Sequence, residues 1–264
     1  MKRKWAIWLA AGMLVFGIGV LLYPTVSSAI NRMNGSYAIG QLQQQLEGMD
    51  SGQMESALEE ARAYNEKLKQ AGAADEDRYD SILNFGNGIM GYVTVGKIDL
   101  MLPIYHGVSN DVLEKGVGHL PSSPFPIGGE GNHTVLTGHT GLPSARLFTD
   151  LAELTEGDRF EVTVGGCSTS YQIDQILVVL PQDTAELMPV AGEDYCTLVT
   201  CTPYGVNSHR LLVRGSRIEV PETVAAGLTT EEVLPEKRNG WLWLLLIPCL
   251  GAVMLLKRKK GKYE

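Results

Sequence analysis

The chain has 264 residues, 44% of them hydrophobic types and 20% charged, and carries a formal charge of -8. The two terminal tails hold eight of the 22 basic residues and one of the 30 acidic ones, which leaves 14 basic against 29 acidic between them. A body that acidic repels phosphate backbones and argues against nucleic acid as a partner. The four cysteines, Cys167, Cys196, Cys201 and Cys249, have no metal-ligand spacing, which argues against a zinc site.

Taken in chain order, residues 1–4 form a basic tail containing Lys2, Arg3 and Lys4. Trp5 to Tyr23 carries no charge and has the length of a membrane-spanning helix. It is longer than a signal-peptide core of about 7–15 residues, so it reads as a retained anchor, although Ser27-Ser28-Ala29 offers small residues at which a signal peptidase could cut. Residues 24–78 read as a membrane-proximal region. Within it, 24–37 is a short polar exit, and Ala38 to Ala71 is helical, with apolar Leu42, Leu46, Met54, Leu58, Ala61 and Leu68 and a break at Gly48–Gly52. Ala71 to Asp80 reads as a loop.

From Ile89 the period changes to that of strands. Strands are predicted at 90–95, 98–104, 133–136, 159–164, 170–180, 195–201 and 210–220, with short helices at Asn110–Lys115 and Ser144–Leu154. Pro121 to Asn132 is rich in Pro and Gly and is expected to be irregular. About seven to eight short strands separated by turns predict a closed β-barrel over residues 79–220. Residues 221–239 read as a polar stalk, 240–256 as a second membrane helix and 257–264 as a basic tail. Basic flanks stay on the cytoplasmic side, so both termini are expected inside and the barrel outside the cell.

The chemistry is expected at Tyr195-Cys-Thr-Leu-Val-Thr-Cys201 and the loop that follows it. Side chains alternate along a strand, so Thr197, Val199 and Cys201 share one face and Cys196, Leu198 and Thr200 the other. Cys201 closes the strand beside a loop, where a thiol can react, whereas Cys196 reads as a core residue. A nucleophilic thiol needs a proton-transfer partner and a donor for a developing oxyanion. His139, set between glycines in Thr137-Gly-His-Thr-Gly141, is a candidate, as are the neighbours His209 and Arg210, of which only one can face Cys201. His133 lies on a strand, and His106 and His119 are expected in loops.

Thr197-Leu-Val-Thr-Cys201 resembles the T-L-x-T-C signature of sortases, the cysteine transpeptidases of bacterial cell surfaces. Leu102-Pro-Ile-Tyr-His-Gly107, Gly116-Val-Gly-His-Leu120, the stretch from Thr137 to Leu151 and Thr200-Cys-Thr-Pro-Tyr-Gly-Val-Asn-Ser-His-Arg210 are similar to the class C, pilin-polymerising branch. The resemblance covers about residues 79–220. It implies Cys201 as nucleophile, His139 as general acid/base and Arg210 as the group that holds the carbonyl or oxyanion, with Thr197, Thr200, Leu142 and Pro143 along the substrate path. It implies cleavage of a Leu-Pro-x-Thr-Gly-like sorting signal between Thr and Gly through a thioester, and transfer to a lysine amine of another pilin subunit, without metal or organic cofactor. The alternatives are anchoring of surface proteins to peptidoglycan and, outside enzymes, an inactive membrane scaffold. Class C enzymes commonly place an Asp-Pro-aromatic lid over the cysteine. Here the equivalent segment lacks proline and offers only Asp77-Arg-Tyr79, which predicts a short or absent lid and an open cleft.

Overall fold

The structure, a computed structural model, describes residues 2–72 and 76–219. The stalk, second apolar run and basic tail expected over 221–264 lie outside the described residues. Helix α1 (Lys2–Glu47) is one unbroken 46-residue helix with Pro24 inside it. The polar exit expected over 24–37 is thus helical, because residues beyond Asn31 gain a partner on the barrel, where Ile39 and Leu42 are buried. The apolar stretch near the N-terminus of α1 is unburied, and is long and apolar enough to cross a bilayer.

Asp50 ends the break between the first two helices. Its carboxylate accepts from the Gln53 amide at 2.8 Å while the Gln53 side chain accepts from the Asp50 amide at 3.2 Å. That reciprocal cap starts α2 (Ser51–Ala71). Leu58, Ala61, Tyr64 and Leu68 recur on one buried face of α2. Part of the loop expected over 71–80 is a short helix, α3 (Glu76–Tyr79).

Eight strands follow: β1 (Ile89–Val95), β2 (Leu100–His106), β3 (Val117–His119), β4 (Asn132–Thr137), β5 (Arg159–Val164), β6 (Cys167–Val179), β7 (Asp194–Thr202) and β8 (His209–Ile218). They close a barrel in the order β1-β2-β3-β4-β7-β8-β6-β5. The strand expected from Ile98 starts at Leu100, since Gly96–Ile98 forms a 3-10 turn. His106 and His119, expected in loops, end β2 and β3. The expected helix Asn110–Lys115 is α4 (Asn110–Leu113). The helix expected over Ser144–Leu154 is an irregular turn with Leu147 at φ 41°, followed by a 3-10 turn at Thr149–Glu153.

Two pairings are parallel, β2 with β3 and β4 with β7. The second joins residues 62 apart in sequence and carries β5 and β6 in its crossover. Met90, Ile104, Leu136, Phe160, Tyr171, Leu198 and Val213 fill the barrel. In β6 the register shifts between Ile173 and Gln175, which turns Leu177 and Val179 outward. There they join Val135, Val199 and Leu212 in a second apolar cluster on the outer wall, covered by Leu120 and Leu187.

Candidate active site

The register of β4 and β7 pairs Thr137 with Val199. Continued one strand position at a time, it brings Gly138 to Thr200 and His139 to Cys201. Two hydrogen bonds carry it past the strand end: the Gly138 amide donates to the Val199 carbonyl at 3.0 Å, and the Thr200 hydroxyl donates to the Gly138 carbonyl at 2.7 Å. On the other edge of β7, Cys201 lies opposite Arg210 of β8. One strand thus presents a thiol with an imidazole on one side and a guanidinium on the other.

Alternation sets the face. Leu198 belongs to the barrel interior and Val199 to the outer cluster, so Cys201 shares the outer wall with Val199. Directly opposed residues share a face, which puts Arg210 beside Cys201 and turns His209 away. Cys201 is a free thiol, and Cys201, His139 and Arg210 are all half-buried. Cys196 is buried, and burial pushes its thiol pKa well up, which suits an inert core residue. Cys167 is exposed at the start of β6, at the opposite end of that strand from Val179, which pairs with Arg210.

The loop after β4 is built to hold His139. A Cβ at Gly138 would lie 2.8 Å from the Phe148 ring, so only glycine lets that ring in. The Phe148 amide donates to the His139 carbonyl at 3.0 Å, and the Gly141 amide donates to the Thr149 hydroxyl at 3.1 Å. Gly141, at φ 72°, lies under the Tyr204 ring. Arg210 donates to the carbonyls of His209 at 3.2 Å and Asn207 at 3.5 Å, and forms no ion pair among the described residues. Most of its five donors stay available to a substrate oxygen. Gly138, Phe148 and Asn207 were not singled out by sequence reasoning. The glycines flanking His139 hinted at the first, but nothing local marks the other two.

The remaining expected residues fall as follows. Thr197 is 1% exposed and Thr200 3% exposed, and both hydroxyls are engaged inside the wall, Thr197 with His133 at 2.7 Å and Thr200 with Gly138. In this structure both hydroxyls brace the strands that carry the site. Leu142 is half-buried, bridged to Ala145, and Pro143 is exposed beside it. Tyr79 is no lid. It is 5% exposed, its hydroxyl bonds to His119 Nδ1 at 2.9 Å and accepts from the Gly107 amide at 3.0 Å, and its ring stacks on Phe125. Missing the proline, the segment winds into α3 and turns Tyr79 inward; the Asp77 side chain lies outside what is described.

His133 and His106 are structural. His133 donates from Nδ1 to the Met188 carbonyl at 3.1 Å and accepts from Thr197 at Nε2, and burial lowers its pKa. His106 meets the carbonyls of Gly88 and Ile82. A cleft of about 1130 Å³ lies at the opposite ends of β4 and β7, lined by Lys69, Asn132 and Arg217 among others, and its lining includes no cysteine. Among the described residues no three His, Cys, Asp or Glu side chains gather as a metal site.

A family model described as the sortase domain matches residues 93–218. The fold is similar to the crystal structure of sortase C1 from Streptococcus agalactiae, 44% identical with a TM-score of 0.68 over 70% of this chain and 100% of that one. It is also similar to sortase C of Streptococcus pneumoniae, whose structure is described as bearing on pilin substrate specificity, at 39% identity and a TM-score of 0.65 over 70% of this chain and 97% of that one. Sortase D of Bacillus subtilis strain 168 is 30% identical over 131 residues, 48% of this chain and 63% of the relative. The match thus spans less than two thirds of that curated relative's length.

Proposed function

Because the chain belongs to the sortase family, with class C enzymes as its structural neighbours, we propose that it is a cysteine transpeptidase that polymerises pilin subunits. The observation that carries this reading is the row His139–Cys201–Arg210 across three adjacent strands. The thiolate of Cys201 attacks the Thr carbonyl of a Leu-Pro-x-Thr-Gly-like signal. Arg210 takes the oxyanion of the tetrahedral intermediate, for which its charged fork of donors is suited. His139 gives a proton to the departing glycine amine, and the C–N bond breaks to leave a thioester. A lysine amine of a second pilin then attacks, losing its proton to His139, and the thiol departs as an isopeptide bond forms.

The outer cluster of Val135, Val199 and Leu212 continues the wall on which Cys201 stands, and it is the apolar floor for the Leu of the signal once Leu187 shifts aside. With Tyr79 turned inward, the enzyme is expected to cleave peptide without removal of a lid. The protein is held in the cell membrane by Trp5–Tyr23, with a second span at 240–256, both termini inside and the barrel outside. Anchoring to peptidoglycan shares the acyl-transfer half and differs only in the entering amine.

The test is cleavage of a quenched fluorescent Leu-Pro-x-Thr-Gly peptide by the detergent-solubilised protein, with products weighed in the presence of a pilin lysine donor. Cleavage that disappears in Cys201→Ala, with an isopeptide adduct to the lysine, supports the reading. An adduct only to a peptidoglycan amine replaces pilus assembly by anchoring, and a wild type inert from about pH 5 to 9 overturns the enzyme reading.

A further inference from the structure

The course of α1 over the barrel fixes which end of the barrel faces the membrane. Among the described residues, the first side-chain bond from α1 to the barrel region is Asn31 to the Glu114 carbonyl at 3.1 Å, joined by Arg32 to Asp99 at 3.6 Å. Gly35 then packs on Pro103, and Gln45 reaches Gly86, whose neighbour Gly88 bonds the amide of His106. As α1 runs from Arg32 to Gln45, its contacts on β2 run from Asp99 to His106, so helix and strand point the same way, away from the apolar N-terminal stretch.

The rest follows from strand direction. β3 is parallel to β2, β4 antiparallel to β3, and β7 parallel to β4. β4 and β7 therefore run back toward the bilayer, and His139 and Cys201 stand at their membrane-side ends. Gly118 pairs with both Tyr105 and Thr137, which makes His139 level with Pro103, the residue that seats Gly35. From Tyr23 to Gly35 the helix rises about 18 Å. Pro24 lies in that stretch, and Val26 and Ile30 are 49% and 53% exposed.

We propose that α1 is a rigid strut that fixes the height and rotational angle of the catalytic row above the bilayer, so that the site addresses acyl donors held at the membrane surface. This rests on the reading of Trp5–Tyr23 as a span and on the sortase reading above.

One inserted residue in a helix turns everything beyond it by about 100° and lifts it by about 1.5 Å, whereas seven restore the phase to within about 20° and lift it by about 10 Å. The full-length protein is placed in vesicles with either a soluble Leu-Pro-x-Thr-Gly peptide or the same signal fused to a membrane-spanning helix. One, two or seven alanines are inserted after Val26. The soluble peptide is expected to be cleaved at an unchanged rate by all variants. Cleavage of the membrane-held signal is expected to fall at least tenfold with one or two alanines and to recover partly with seven. Equal rates on the membrane-held signal in every variant overturn the strut and leave α1 a tether.

Energy transfer from a dye on Cys167 to headgroup acceptors, in a Cys201→Ala, Cys249→Ala background, reads the geometry without activity. A strut gives one distance that replacement of residues 24–30 by a Gly/Ser linker broadens, and an unchanged distribution overturns it. A wild type that cleaves neither substrate but passes the dye measurement fails the sortase reading alone.

Discussion

The Thr200 hydroxyl donates to the Gly138 carbonyl at 2.7 Å, and the next residue along each strand is one of the two proposed to exchange a proton, Cys201 and His139. The bond is buried, so deleting the hydroxyl leaves a carbonyl without its partner and frees the His139 loop on the side of β7. Thr200→Val, which keeps the shape, is expected to cost about 1–3 kcal/mol of stability. Displacement of His139 by as little as an ångström is expected to lower kcat by about 10²-fold. KM should change little, and Thr200→Ser should restore kcat, since it keeps the donor. Peptide-cleavage kinetics on the three proteins decide it; equal kcat in Thr200→Val and wild type would show that His139 is held by Phe148 alone. The cysteines carry a second residue-scale prediction. A maleimide is expected to label exposed Cys167 fastest and half-buried Cys201 next, and to spare Cys196, which burial keeps as the neutral thiol. Intact-mass spectra with Cys167→Ser and Cys201→Ala assign the adducts, and only the adduct on Cys201 should abolish cleavage.

At the scale of elements, Asn65 pins α2 to the β3–β4 loop from a buried position. Asn65, 1% exposed, donates to the Phe125 carbonyl at 3.1 Å and accepts from its amide at 2.7 Å, while Tyr64 packs on the Phe125 ring. Asn65→Ala strands both backbone groups and is expected to cost about 2–4 kcal/mol in urea denaturation; a loss under about 1 kcal/mol would mean water replaces the side chain. Such links mark where sequence reading works and where it stops. β5 was legible because it alternates polar and apolar residues, β1 and β7 because they are short runs of β-branched and apolar types, and α2 because its buried residues recur at helical spacing. β3 has three residues, one of them Gly118, and shows no period. The turn at 144–148 carries a helical pattern, yet Leu147 takes a positive φ so that Phe148 can reach Gly138 and His139. Cys201, His139 and Arg210 were visible as motifs. Their row was not, because it depends on a parallel pairing across 62 residues that no local pattern encodes.

At the scale of the whole molecule, His119 ties three parts of the fold together. Its Nε2 donates to the Pro124 carbonyl at 2.9 Å, so Nδ1 accepts from the hydroxyl of Tyr79, which anchors α3 to β3. The ring is fully buried against Phe125, and burial pushes its pKa from the usual 6.5 down to about 4. Above pH 6.5 the ring is neutral in folded and unfolded chains alike, and stability does not respond to this group. As pH falls from 6.5 to about 4, the unfolded chain binds the proton and the folded one does not, so stability is lost; below that the loss levels off. The full drop amounts to about 3 kcal/mol, because each tenfold loss of proton affinity on folding is worth about 1.4 kcal/mol. His133, also lowered by burial, adds to the loss as pH falls below 6.5. A difference measurement against a variant isolates the contribution of His119. His119→Asn is expected to be less stable at pH 7, because Tyr79 and Pro124 lose well-placed partners. Between pH 6.5 and 4.5 its unfolding free energy should fall less steeply than that of wild type, by close to one proton. Parallel slopes would mean that His119 takes up its proton in the folded state and that the hub around Tyr79 rearranges to receive it.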